Sequence, residues 1–175
     1  MKFSLHKICD ISGVSIYKNK HFFDKRGKFI ESYNKKDFKK LLGKNINFVQ
    51  DCFSISKKNV LRGIHAEPYQ SKIISCISGK IFLVFVNLNK KSKHYHKYKS
   101  FKIDAKKNDM FFFVPRNTGI GHQVLSDEAV FHYKVNGYYT NKYQKTIKWN
   151  DKGLNIKWPN MKPILSNRDK VGRYT

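Results

Sequence analysis

Ile73-Ile74-Ser75-Cys76-Ile77-Ser78-Gly79-Lys80-Ile81-Phe82-Leu83-Val84-Phe85-Val86 reads as two β-strands meeting at Gly79. The second half is apolar at every position, the pattern of a strand buried on both faces. Outward from it, Met110-Phe111-Phe112-Phe113-Val114 and Val130-Phe131-His132-Tyr133-Lys134-Val135 are strands of the same kind. Polar and turn residues separate them at short intervals. One segment alone reads as a helix, Asn34 to Gly43: Asn34 caps it, Asp37 suits its first turn and Gly43 ends it. Many strands with one short N-terminal helix predict an all-β antiparallel sandwich or barrel.

Composition narrows the class. The 175 residues fit one domain, 1–175, with material for a real core. No internal repeat, Pro/Gly/Ser linker or composition break divides them. At 40% hydrophobic and 15% aromatic, the chain is one that folds. No apolar run reaches the length of a membrane span. Met1 to Lys7 is too short and too broken for the core of a signal peptide. Cys9, Cys52 and Cys76 show no CxxC spacing and leave at least one thiol unpaired, so a reducing cytoplasm is expected. Cys52 and Cys76 sit in apolar strand-like contexts and read as inert core thiols. The formal charge of +24 suggests an anionic partner: nucleic acid, an acidic membrane surface or a phosphorylated small molecule. The lysines run along the whole chain and the acids are scarce, so the charge reads as solvated and partly compositional. The most basic stretch, Lys90 to Lys99, reads as an exposed loop.

For chemistry, Leu61-Arg62-Gly63-Ile64-His65 follows an exposed-looking Ser56-Lys57-Lys58-Asn59 turn. A histidine titrating near neutrality is a natural general base. A lone strand histidine is more often structural, so a carboxylate partner is needed, and Asp169 is a candidate. Arg62 and His65 differ by an odd number of positions, which sends them to opposite faces of a regular strand. A bulge at Gly63 would bring both to one pocket. His94-Tyr95-His96 offers two imidazoles on one strand face, but Lys90, Lys91, Lys93, Lys97 and Lys99 surround it and repel a cation. No metal site and no cofactor are expected. There is no GxSxG elbow, glycine-rich phosphate loop or GxGxxG pattern.

Taken in order, the motifs resemble one family. Phe23-Asp24-Lys25-Arg26-Gly27-Lys28-Phe29-Ile30-Glu31-Ser32-Tyr33 resembles the FxDxRGxFxEsy signature of the dTDP-4-dehydrorhamnose 3,5-epimerases. Phe48-Val49-Gln50-Asp51 to Ser54, then Val60-Leu61-Arg62-Gly63-Ile64-His65, is similar to FVQdnxS…vLRGlH. Lys72 stands at the KLV lysine, and Phe131-His132-Tyr133-Lys134 at (F/L)xYK. Ile147-Lys148-Trp149-Asn150-Asp151, Trp158-Pro159 and Leu165-Ser166-Asn167-Arg168-Asp169 resemble the closing ixWND…WP…lSxkD series. The resemblance spans nearly the whole chain.

That resemblance implies a cupin-type β jelly roll, a homodimer exchanging strands, no metal, and a nucleoside-diphosphate 4-keto sugar as substrate. The expected activity inverts C3, C5 or both, in the biosynthesis of sugars for capsule or lipopolysaccharide. By the same resemblance His65 is the base, paired with Asp169. Tyr133 is the acid on the opposite face, and Lys72 binds the C4 oxygen and its enolate. Arg62 and Arg26 hold the diphosphate, Arg26 from the neighbouring subunit, while Glu31 and Gln50 contact the nucleotide. A cation beside the keto oxygen stabilises the enolate more than the ketone, which is what catalysis requires.

Two departures stand out. Where the family has PxGfAHGF, this chain has Pro115-Arg116-Asn117-Thr118-Gly119-Ile120-Gly121-His122. Ile120 takes the place of the second histidine, and His122, two residues on, faces the same side of a strand and is a substrate-binding candidate. The segment Ala66 to Ser71 is short, with Glu67 in place of a glutamine. Both resemble branches acting on other 4-keto sugars, including GDP-linked heptoses. The alternatives are a cupin-fold 3,4-ketoisomerase, which relocates the carbonyl, and a non-catalytic basic protein binding nucleic acid. The C-terminal WND…WP…SxxD series favours the epimerase.

Overall fold

The computed structural model of the chain describes residues 2–43, 45–107 and 109–173. Its strands are β1 (Phe3–Ile8), β2 (Ser15–Asn19), β3 (His21–Asp24), β4 (Gly27–Ile30), β5 (Gln50–Lys57), β6 (Leu61–Ala66), β7 (Lys72–Ser78), β8 (Lys80–Asn87), β9 (Tyr98–Asp104), β10 (Met110–Val114), β11 (Thr118–Val124), β12 (Glu128–Val135) and β13 (Lys145–Thr146). Helices are α1 (Lys35–Leu42) and α2 (Asn167–Lys170). A six-stranded sheet, β1-β2-β10-β7-β12-β5, faces a five-stranded sheet, β13-β6-β11-β8-β9, and β3-β4 forms a separate hairpin. Every pairing between named strands is antiparallel, and the two sheets make a jelly roll. Among the described residues no helix is long and apolar enough to cross a membrane.

The all-apolar run 81–86 is explained by what covers each face of β8. Ile81, Leu83 and Phe85 point between the sheets, against Ile74, Phe112 and Phe131 of the other sheet. Phe82, Val84 and Val86 point the other way and are roofed by Ile147, Leu154, Ile156 and Trp158 of the C-terminal segment. Burying each such side chain contributes about 1.5–3 kcal/mol before chain entropy is subtracted. The outer face of the six-stranded sheet is covered in turn where Phe38 of α1 packs on Phe3 and Phe111.

α1 has the expected ends. The Asn34 side chain accepts from the Lys36 and Asp37 amides, and Gly43 closes the helix at φ 63°. α2 lies outside the single-helix expectation. It is one turn long, too short to show a 3.6-residue period, and Ser166 caps it by accepting from the Asp169 amide. His94 and His96 lie in the turn before β9, not on a strand, so the shared face expected of them does not exist. His96 takes a left-handed conformation there, at φ 60°.

Candidate active site

A cavity of about 260 Å³ opens between the sheets at one end of the roll. β6 supplies two of its walls from positions that a regular strand would separate. Arg62 pairs with His122 of β11, whereas His65 pairs with Ile120, so three residue steps on β6 span two on β11. This bulge turns both Arg62 and His65 into the cavity. Gly63 permits it, at φ 111°, and a Cβ there would stand 2.5 Å from the Ile120 carbonyl oxygen.

His65 Nε2 lies 2.6 Å from Asp169 Oδ1. Asp169 is 2% exposed and comes from α2, whose cap residue Ser166 donates to its Oδ2 at 2.8 Å. Burial pushes this carboxyl up, but the hydrogen bond and charge of His65, the Ser166 hydroxyl and the Gly63 N–H outweigh it and hold Asp169 below its ordinary range. Asp169 therefore stays ionised at neutral pH and fixes the imidazole that it faces. The helix that sequence periodicity cannot see is the element that delivers this carboxylate.

Tyr133 enters from β12, directly opposite Cys52 of β5. Its hydroxyl is pushed up to about 12, first by burial, then by its hydrogen bond to Cys52 and by negative charge at Cys52 and Glu67, against the pull of Arg62. It is a protonated donor at neutral pH. Lys72 heads β7, its Nζ bonded to the Glu67 carboxylate and 5.7 Å from the centre of the Tyr133 ring. Gln144 also donates to Glu67, at 3.3 Å. Gln50 lines the cavity, donating to Cys52 Sγ at 3.3 Å and accepting from the Tyr139 amide at 3.0 Å. Arg62 Nε donates to Ser56 Oγ at 3.0 Å.

His122 also lines the cavity, 4% exposed, and burial pushes its pKa down to about 3, with Arg62 and His65 adding repulsion. A group this hard to protonate is a poor base at neutral pH. Arg26 and Glu31 do not line the cavity. Arg26 is in the exposed β3–β4 turn, 2.6 Å from Asp24, and Glu31 pairs with Lys2 at 2.7 Å.

Sequence reasoning missed several cavity residues. Cys52, read as a core thiol, is half-buried behind the cavity wall, between Gln50 and Tyr133. Gln144 and Arg168 also line the cavity, and Arg168 had a signal, since it adjoins Asp169 in the SxxD motif. Three buried atoms on the cavity wall have no protein partner among the described residues: Ser54 Oγ, His122 Nε2 and Arg168 Nη2. A buried polar group left unpaired costs about 1–3 kcal/mol, and several at one cavity mark a place where a ligand supplies the partners.

Comparison with known proteins agrees with this architecture. The sequence model of the dTDP-4-dehydrorhamnose 3,5-epimerase family matches residues 8–174. An epimerase of that name from Shigella flexneri is 41% identical over 167 residues, 94% of this chain and 92% of that one. The Bacillus anthracis enzyme of that name, whose crystal structure holds TDP and PPi, superposes with a TM-score of 0.91 at 32% identity, covering 99% of both chains. A Legionella pneumophila dTDP-6-deoxy-D-glucose-3,5-epimerase, in complex with dTDP-4-keto-L-rhamnose, superposes with a TM-score of 0.90 at 32% identity, covering 98% of this chain and 92% of that one. By the family match, the identity and the shared jelly roll, this chain belongs to the dTDP-4-dehydrorhamnose 3,5-epimerase family.

Proposed function

We propose that this protein is an epimerase of a nucleoside-diphosphate 4-keto sugar, inverting C3, C5 or both. The observation that carries the reading is the convergence of the Asp169-oriented His65 and the protonated Tyr133 on one cavity whose buried polar atoms await partners. His65 takes the proton from the carbon beside the ketone, and Asp169 stabilises the imidazolium that forms. Electrons move onto the C4 oxygen, where Lys72 balances the enolate. Tyr133 returns a proton to the other face, and its high pKa keeps that proton available. Arg62 holds the diphosphate, Gln50 the nucleotide and His122 the sugar. Chemistry of this kind serves the making of cell-surface sugars in the cytoplasm.

The working form is a homodimer in which Arg26 and Glu31 reach the neighbouring cavity. Two apolar surfaces support this: Phe23 and Phe29 on the β3–β4 hairpin are 75% and 67% exposed, and Phe53 and Ile55 on the outer face of β5 are 63% and 65% exposed. Sedimentation should give twice the chain mass, and a monomer with full activity would refute it.

The decisive experiment incubates the protein in D2O with dTDP-4-keto-6-deoxyglucose, GDP-4-keto-6-deoxymannose and a GDP-4-keto-6-deoxyheptose, read by NMR. Deuterium should enter next to the ketone with inversion. A carbonyl moved to another carbon would make it an isomerase, and no exchange into any sugar would sink the reading.

A further inference from the structure

Among the described residues, His122 Nε2 is one of three buried atoms on the cavity wall, with Ser54 Oγ and Arg168 Nη2, that have no hydrogen-bond partner. The His122 ring is held by close packing. The imidazole lies stacked on Phe131, with ring centroids 4.2 Å apart and planes 25° apart. Its strand, β11, is buried at every position and is paired on both sides, with β6 and with β8. The ring therefore packs into the cavity wall, beside Arg62 and one strand pair away from His65.

We propose that His122 Nε2 hydrogen-bonds an oxygen of the sugar at the reacting end of the cavity, so that the Ile120/His122 wall of β11 selects which 4-keto sugar this protein accepts. The inference rests on the epimerase reading and deepens it. Charge arguments fit the role. A buried imidazole held neutral, with its pKa near 3, neither competes with His65 for the proton nor adds a cation beside Arg62. It offers a fixed neutral dipole, which recognises a keto or hydroxyl oxygen without transferring a proton. Ile120, two residues earlier on the same strand, presents only carbon to the cavity. Like-facing residues on a strand stand about 7 Å apart, more than a sugar C–C bond, so moving the polar group between these positions changes which sugar oxygen it can meet. A buried site built to pair with a substrate oxygen discriminates strongly against sugars that lack it there, because the site is then left unpaired.

The test measures deuterium exchange and nucleotide affinity together, with the same three sugars. His122→Phe keeps the stacked ring and removes both nitrogens. His122→Gln keeps an amide within reach of the Nε2 position, whereas His122→Asn does not. Expected outcomes are a loss of at least tenfold in kcat/KM on the preferred sugar for His122→Phe and His122→Asn. Recovery of at least threefold is expected in His122→Gln, with dTDP or GDP affinity within twofold of wild type throughout. The order of preference among the sugars should also change in Ile120→His/His122→Phe. His122→Phe and His122→Asn both within threefold of wild type would overturn the inference, as would nucleotide affinity falling in step with kcat/KM. If His122→Phe does not fold, the Asn and Gln pair decides alone. Wild-type exchange is the control: its absence removes the epimerase reading and this inference with it, while wild-type exchange with unaffected variants removes the inference alone.

Discussion

His65 and Tyr133 differ in what their surroundings do to a proton, and the difference matches the base and acid roles proposed for them. An ionised Asp169 sits 2.6 Å from His65, so an imidazolium formed there is stabilised as it appears. Burial and its neighbours instead keep the Tyr133 hydroxyl protonated up to about pH 12. His65→Asn should therefore abolish both exchange and inversion, with a loss of roughly 100- to 10,000-fold, the usual worth of a general base. Tyr133→Phe keeps the ring and deletes only the hydroxyl. It should still exchange deuterium into the sugar but return it mostly to the original face, so exchange outruns inversion. One NMR experiment reads both variants, and exchange by His65→Asn at the wild-type rate would show that the base is another group. Lys72 carries a further expectation. In the proposed mechanism Lys72 faces the enolate, and its ion-pair partner Glu67 sets negative charge beside it, so Glu67→Gln should leave Lys72 uncompensated and raise kcat more than it changes KM. Steady-state kinetics on the preferred sugar decides this, and a lower kcat would mean that Glu67 is needed to position Lys72.

At the scale of elements, β6 shows what a sequence can and cannot disclose. The odd spacing of Arg62 and His65 and the intervening glycine were enough to anticipate a bulge. The register that creates it depends on β11, more than fifty residues away, and no local pattern encodes it. β8 was legible because both of its faces are covered, which makes its whole run apolar. α2 was not legible, since a single turn has no periodicity. The i, i+2 spacing of His94 and His96 implies a shared face only on a strand, and here the chain turns. The bulge yields its own prediction. A methyl group at Gly63 would meet the Ile120 carbonyl oxygen at 2.5 Å and the Gly121 Cα at 2.8 Å, at a φ of 111° that L side chains rarely adopt. Gly63→Ala should lose about 1–3 kcal/mol of stability and most activity together, because the clash falls between the two strands that carry Arg62, His65 and His122. Urea unfolding checks the first and exchange the second. Gly27→Ala is the control: its φ is also positive, but nothing lies within 4 Å of the added carbon, and the cavity should be unaffected.

At the scale of the whole molecule, the ordered motifs point to the jelly roll and to Gln50, Arg62, His65, Lys72 and Tyr133 at the cavity, but also to Arg26 and Glu31, which lie outside it. They did not disclose which buried atoms would be left without partners, because satisfaction of a polar group depends on every neighbour at once. That property links the site to stability through His122. In the folded protein this imidazole stays neutral down to about pH 3, while in the unfolded chain it titrates near the ordinary histidine value of 6.5. As pH falls below about 6.5 the unfolded state takes up a proton that the native state refuses, so stability falls by up to about 1.4 kcal/mol per pH unit. The carboxylates with depressed pKa values, Asp24, Glu31, Asp51, Asp104 and Asp169, act in the same direction but only below their unfolded values, near 4. Between pH 6.5 and 5 the effect of His122 is therefore separable from theirs. Urea unfolding at fixed protein concentration should show a loss of up to about 2 kcal/mol across that window in the wild type and a flatter profile in His122→Phe. Equal slopes in the two proteins would mean that His122 binds its proton in the folded state as readily as in the unfolded one, and that the cavity wall at β11 is wetter than its burial implies.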